Sequence, residues 1–207
     1  IELTIDINLQ LAIENELDNA MSKYNPEQGL ILAMDPDTGE VLAMASRPNF
    51  NSNNYQDYST EIINRNLPIW MTYEPGSTFK IITLSAALEE QTINLFEDTF
   101  TDTGAINVDG STIHCWKSGG HGTQTMLEVV ENSCNPGFVR IGQTLGVETL
   151  MSYIDAYGFG EETGIDLNGE STGILFDVDE MGPVELATTS FGQGISVTPI
   201  QQVRAVS

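Results

Sequence analysis

Tyr73-Glu74-Pro75-Gly76-Ser77-Thr78-Phe79-Lys80 decides how this 207-residue chain is to be read. Pro75 and Gly76 shape an entry turn, and from Ser77 to Glu90 the apolar residues Phe79, Ile82, Ala86 and Leu88 recur on a helix-forming background. The spacing predicts a helix that begins at the serine. Ser-x-x-Lys at its head puts a hydroxyl and an amine three residues apart on one face. A neutral lysine can take the serine proton once burial or nearby positive charge has lowered its pKa. The free N–H groups of a helix N-terminus then favour a developing oxyanion. Fourteen serines and three lysines produce about 0.2 such pairs by chance, so the tetrapeptide alone is a weak signal. Its context is stronger, because Lys80 falls inside the apolar stretch Phe79 to Leu84, where a solvated lysine is out of place. Ser77 and Lys80 are therefore the candidate nucleophile and base.

Outward from this stretch the chain reads as a mixture of helices and hairpins. Leu3 and Ile5 alternate with Thr4 and Asp6 as a short strand. It feeds an amphipathic helix with Leu9, Ala12, Ile13, Leu17, Ala20 and Met21 on one face and Asp6 as its N-cap. Gly29 to Met34 and Glu40 to Ser46 flank Asp35-Pro36-Asp37-Thr38-Gly39, which predicts a β-hairpin. Arg47 to Asn66 is polar, with six asparagines and little periodicity, and is expected to be irregular. A second hairpin is expected from Phe100 to Val108 and Ser111 to Trp116 around Asp109-Gly110. Helices are expected near Met126 to Asn132, Phe138 to Leu145 and Thr149 to Tyr157. The tail from Gly158 is loop-rich until a last helix near Thr198-Pro199. No repeat, linker or compositional shift divides the chain, so residues 1–207 read as one domain.

The resemblance follows from the motifs. Tyr73 to Lys80 resembles the first active-site motif of the penicillin-binding proteins. Leu3-Thr4-Ile5-Asp6 with Leu9-Gln10 is similar to the opening of their transpeptidase domain, and Met34-Asp35-Pro36 through Ala43-Met44-Ala45-Ser46 to its first hairpin. Ser190-Phe191-Gly192-Gln193-Gly194 resembles the late glycine loop. The chain is more similar to the monofunctional class B transpeptidases than to a class A β-lactamase. The resemblance implies an α+β transpeptidase fold, with an antiparallel sheet flanked by helices, a mostly helical lobe and the active serine at their junction. It maps the second motif onto Ser133-Cys134-Asn135. Ser133 would relay protons between Lys80 and the leaving amine, and Asn135 would bind substrate and hold Lys80. Ser52-Asn53-Asn54 shows that Ser-x-Asn alone proves nothing, and Asn135-Pro136 also suits an ordinary helix start. None of Lys23, Lys80 or Lys117 is followed by Thr-Gly, so the third motif, Lys-Thr-Gly, is expected beyond Ser207 in a longer domain.

His114, Cys115, His121 and Cys134 are all of the histidines and cysteines, and three of the four lie within eight residues. Such clustering suggests zinc. Neighbours on a strand point to opposite faces, so only one of His114 and Cys115 should reach a common metal, and the thiolate is the better ligand. With Asp109-Gly110 as the turn, Asp102 is expected opposite Cys115 on the same face. Asp102, Cys115, His121 and Cys134 form the expected ligand set, with Asp109 a weaker carboxylate. Two plain buried thiols, a Cys115–Cys134 disulfide and a histidine serving a turn are competing readings. Some class B members are similar here, carrying acid, Cys or His at matching places. Four protein ligands would make the zinc structural.

Composition narrows the partners. A net charge of −23 from 30 acidic and 7 basic residues repels a phosphate backbone, which argues against nucleic acid. The apolar runs Leu30 to Met34 and Val41 to Ala45 are far below the roughly 20 residues of a membrane span. No basic-then-apolar leader opens the chain. The resemblance implies a peptidoglycan D,D-transpeptidase acting on D-Ala-D-Ala stem peptides, acylated by β-lactams and working with cell-wall synthesis machinery that includes a glycosyltransferase. It also implies the outer face of the cell membrane, through an N-terminal anchor absent from this chain. A serine β-lactamase or D,D-carboxypeptidase, and a non-catalytic penicillin-binding sensor or structural protein, are the alternative functions.

Overall fold

The computed structural model describes residues 2–207; residue 1, the start of the expected domain, lies outside the described residues. Helices and two-stranded antiparallel pairs alternate, an α+β chain as expected. The chain divides into two compact units: one takes the described residues up to Tyr73 with 158–173 and 197–207, the other residues 74–157 and 174–196.

In the first unit, α1 (Ile7–Tyr24) starts at Asp6, whose carboxylate accepts the N–H groups of Asn8 and Leu9 at 2.8 and 3.0 Å. Satisfying these orphan donors is what an N-cap does. β1 (Gly29–Met34) and β2 (Val41–Arg47) form the expected hairpin, paired from Gly29 with Arg47 to Met34 with Val41. Asp35 shapes its turn by accepting the N–H groups of Asp37 and Thr38. Ile13 and Leu17 of α1 pack on Ala43 and Ala45 of β2, so three- and four-residue spacing on the helix meets two-residue spacing on the strand.

The strand expected at Leu3 to Ile5 does not form. Thr4 Oγ1 donates to the Val41 carbonyl and the Asp6 N–H to Leu42, which anchors the segment beside β2 without building a ladder, and Leu3 stays exposed. The polar segment holds more structure than expected. A 3-10 turn at Ser52–Asp57 is capped by Asn51, and α2 (Thr60–Asn64) is capped by Ser59. α3 (Leu67–Trp70) follows directly. Several of the polar side chains are caps rather than loop filler. The last helix, Pro199–Arg204, opens on a Thr198–Gln201 capping box and packs on β1 and α3.

The second unit carries the site. The helix expected from Ser77 begins instead as a 3-10 turn, Gly76–Phe79, which runs into α4 (Lys80–Glu89). The expected strand Phe100 to Val108 is two strands. β3 (Thr99–Asp102) and β4 (Ala105–Val108) are broken at Gly104, whose φ of +99° a side-chain-bearing residue rarely adopts. β4 pairs with β5 (Ser111–His114) around Asp109-Gly110, but β3 pairs with β6 (Gly122–Thr125).

Next come α5 (Met126–Glu131), α6 (Asn135–Leu145) and α7 (Val147–Ala156). α6 starts three residues earlier than expected, because Pro136 in its first turn suits a helix start. α8 (Pro183–Thr189), which the loop-rich reading of the tail did not include, packs on α6 through a buried face of Leu186 and Ala187. Phe79, Ile82, Phe138, Ile141, Leu150 and Ile154 are fully buried among these helices, each worth roughly 1.5–3 kcal/mol of hydrophobic transfer. This core holds the head of α4 against the α5–α6 junction. No helix among the described residues is long and apolar enough to cross a membrane.

Candidate active site

Lys80 is 5% exposed at the head of α4, where a buried amine must be fully hydrogen-bonded. Its Nζ lies 2.7 Å from Asn135 Oδ1, 2.9 Å from the Ser133 carbonyl and 3.0 Å from Ser133 Oγ. It also sits 5.0 Å from the centroid of the Phe138 ring. Ser133 Oγ in turn lies 3.2 Å from Ser77 Oγ, with Ser77 exposed to solvent. The link between the two residues of the first motif therefore runs through Ser133. Burial lowers the Lys80 pKa to about 8, against the opposing pull of Cys134 and Cys115. Sequence reading placed Ser77, Lys80, Ser133 and Asn135 in one site, and the structure brings all four together.

Ser133 reaches this position by helix-end chemistry. The Ser133 N–H donates to Val130 O and the Cys134 N–H to Val129 O, the paired bonds of a Schellman motif closing α5. Ser133 holds the left-handed residue of that motif, φ +49°, where glycine is usual. A serine there costs roughly 1–3 kcal/mol, a strain the surrounding bonds must hold. Cys134 then caps α6 and Asn135 is its first residue. Ser133 and Asn135 thus turn to Lys80, while Cys134 between them turns the other way.

The glycine loop is close by. The Gly76 N–H donates to Gly192 O at 2.8 Å, and Glu74 accepts the Gly194 N–H at 2.9 Å. A Cβ on Gly192 would run into the Gly76 carbonyl, so only glycine allows this approach. Sequence reading missed the Glu74 contact; its only signal is the position of Glu74 beside Pro75 in the opening motif.

A second polar cluster lies behind Cys134. Asp102 Oδ2 is 2.9 Å from His121 Nδ1 and 3.4 Å from Cys134 Sγ, and Cys115 Sγ is 3.4 Å from His121 Nδ1. The four ligand atoms lie within 4.8 Å of one another. Asp102 is delivered not by the hairpin across Asp109-Gly110 but by β3, paired Asp102 to Gly122, so the expected neighbours meet by a different route. The reason is the Gly104 break, where the Gly104 N–H donates to Asp102 Oδ1. His114 and Asp109 are exposed and outside the cluster, and both cysteines are free thiols.

Burial works against the Asp102 charge, but hydrogen bonds from Cys115, Gly104 and His121 outweigh it and hold the carboxyl well below its usual range. Burial, with the Asp102 charge adding to it, pushes the Cys134 thiol up to about 12. Two sulfurs, an imidazole nitrogen and a carboxylate oxygen suit zinc. Tetrahedral zinc–ligand bonds of about 2.0–2.3 Å separate neighbouring ligand atoms by roughly 3.3–3.8 Å. The spacings of 2.9 and 3.4 Å lie near this range, and with the four atoms within 4.8 Å of one another the widest would close by up to about 1 Å. His121 Nε2 is buried without a hydrogen-bond partner among the described residues, while its Nδ1 faces the cluster.

The family model described as the penicillin-binding protein transpeptidase domain matches residues 29–207. The chain belongs to this family. This transpeptidase domain is 61% identical over 206 residues to stage V sporulation protein D of Bacillus subtilis, covering 100% of the chain and 32% of that protein. It is 32% identical over 202 residues to peptidoglycan D,D-transpeptidase FtsI of Escherichia coli, covering 98% of the chain and 34% of that protein. These likenesses make it a class B domain. The transpeptidase domain of penicillin-binding protein 3 from Burkholderia pseudomallei superposes with a TM-score of 0.85 at 27% identity, covering 98% of this chain and 56% of that one. The domain spans about a third of the length of the curated relatives it matches.

Proposed function

We propose that this domain carries the serine acyltransferase centre of a peptidoglycan D,D-transpeptidase, with Ser77 as nucleophile. The observation that carries the reading is the Lys80–Ser133–Ser77 hydrogen-bond line with its buried, pKa-lowered lysine. A neutral Lys80 keeps two N–H groups for Asn135 Oδ1 and the Ser133 carbonyl, and its lone pair faces Ser133 Oγ. The Ser77 proton then passes to Ser133 Oγ while the Ser133 proton passes to Lys80, as Ser77 Oγ bonds to the penultimate D-alanine carbonyl carbon. When the tetrahedral species collapses, the carbonyl carbon–nitrogen bond breaks. Lys80 returns its proton through Ser133 to the leaving D-alanine amine. An amine of a neighbouring stem attacks the acyl-enzyme by the same route in reverse, and Ser77 is freed. A β-lactam opens on Ser77 in the same first step, with slow release. Asn135 binds substrate as well as holding Lys80.

The same reading gives the domain peptidoglycan stems as substrate, a glycosyltransferase among its cell-wall partners and a place on the outer face of the cell membrane. It also assigns a structural zinc to Asp102, Cys115, His121 and Cys134. With four protein ligands and no open position, such an ion would tie the Cys134 turn to the strands. Elemental analysis after mild dialysis tests this. Less than about 0.2 zinc per chain, unchanged in Cys134→Ser, overturns the assignment.

Fluorescent penicillin tests the nucleophile. The full-length protein should take a stable label and Ser77→Ala none. Label that persists in the alanine variant overturns the assignment, and rapid release of label identifies a hydrolase instead.

A further inference from the structure

Trp116 is 68% exposed, yet its indole is held in place. Its Nε1–H donates to the Asn132 carbonyl at 2.8 Å, and its ring meets His121 edge-on at 5.3 Å between centroids. Asn132 is the C-cap of α5, so its carbonyl is among those left without an intrahelical partner, and the indole N–H supplies one. The peptide group between Asn132 and Ser133 is thereby gripped at both ends, its oxygen by Trp116 and its N–H by Val130 O. The Asn132 side chain adds a third tie, donating to Gln124 Oε1 at 3.0 Å.

This matters because Ser133 occupies a left-handed conformation that serine does not favour. A rotation of that peptide group moves Ser133 Oγ off the line between Lys80 at 3.0 Å and Ser77 at 3.2 Å. Proton relays tolerate little such movement. We propose that Trp116 is a positioning residue, whose indole N–H holds the Asn132–Ser133 peptide so that Ser133 bridges Ser77 and Lys80. The proposal rests on the serine acyltransferase reading above and adds a residue outside its motifs.

The test uses the full-length protein and splits β-lactam acylation into initial binding and the covalent step. Trp116→Phe keeps an aromatic ring, smaller than the indole, and removes the donor. It should lower the acylation rate constant roughly 3- to 10-fold, the scale of one hydrogen bond, with the initial dissociation constant unchanged. In a Ser133→Ala background the same substitution should lower the rate no further, because Trp116 acts only through Ser133. An unchanged rate overturns the proposal. So does a loss confined to initial binding, which makes the ring a substrate contact, or an equal loss without Ser133. Hydrogen exchange of the Trp116 indole N–H in the unsubstituted protein is an independent check: protection supports the proposal, and free exchange overturns it even if the phenylalanine variant does not fold. Labelling that survives in Ser77→Ala overturns the acyltransferase reading instead, and leaves the exchange result to stand by itself.

Discussion

Two polar clusters meet back to back at residues 133–135, and they differ in how they end. The Ser77–Ser133–Lys80–Asn135 line starts at a buried amine and finishes on an exposed hydroxyl. The Asp102–Cys115–His121–Cys134 cluster closes on itself, with side chains turned inward and no solvent-facing end. Both use burial to move pKa values, but to opposite ends. Burial brings Lys80 down to about 8, where a neutral base is populated near physiological pH. It pushes Cys134 up to about 12, which disfavours the thiolate unless a cation offsets the cost. In the proposed reading the open line hands a proton to a substrate, whereas the closed set holds a metal that fixes a shape. Alternation of side chains along Ser133-Cys134-Asn135 makes one turn of backbone serve both.

The sharpest way to break the contrast is to remove the proposed base. Lys80→Met should slow acylation by about 10²- to 10⁴-fold while leaving zinc content unchanged, read by penicillin labelling and elemental analysis on one preparation. A loss of both would show that the two clusters do not work separately. Cys134→Ser, or chelation of the unsubstituted protein, should lower Tm by about 5–10 °C in a thermal melt, the size expected when a ligand held at about a hundred times its Kd is lost. An unchanged Tm would remove the structural role assigned to the closed cluster.

The pH dependence probes the open line. In the proposed mechanism the active form of Lys80 is the deprotonated one, so the acylation rate should be level above its pKa of about 8 and fall about tenfold per pH unit below it. A flat profile from pH 6 to 9 would mean that Lys80 is not the base. The smallest effect is expected at Asp109, an exposed turn residue with φ +46°. Asp109→Asn keeps a residue that tolerates this conformation and should change stability by less than about 0.5 kcal/mol, with zinc content intact. Loss of metal there would bring the turn carboxylate into the ligand set.

Local chemistry was legible where partners are close in sequence. Asp6 capping α1, the turn at Asp35 to Gly39 and the Asp109-Gly110 hairpin all depend on contacts within a few residues. Asp102 was expected in the right cluster through the wrong pairing, because the break at Gly104 sends β3 to β6, about twenty residues away. α8 went unread, since its buried face is too short to stand out from a loop-rich tail. The contacts of Glu74 with Gly194 and Trp116 with Asn132 join residues whose proximity no spacing rule reports.

The residues alone determined the chemical cast: a serine and a lysine at a helix head, a second Ser-x-Asn, and thiols and imidazoles gathered in one stretch of the chain. Only the tertiary structure decided the order in which they connect, with Ser133 standing between Ser77 and Lys80 and Cys134 turned to the opposite cluster. That order comes from a helix end, where a left-handed serine and the cap after it aim three consecutive side chains. Such directions depend on which distant strand, carbonyl and indole are there to hold them.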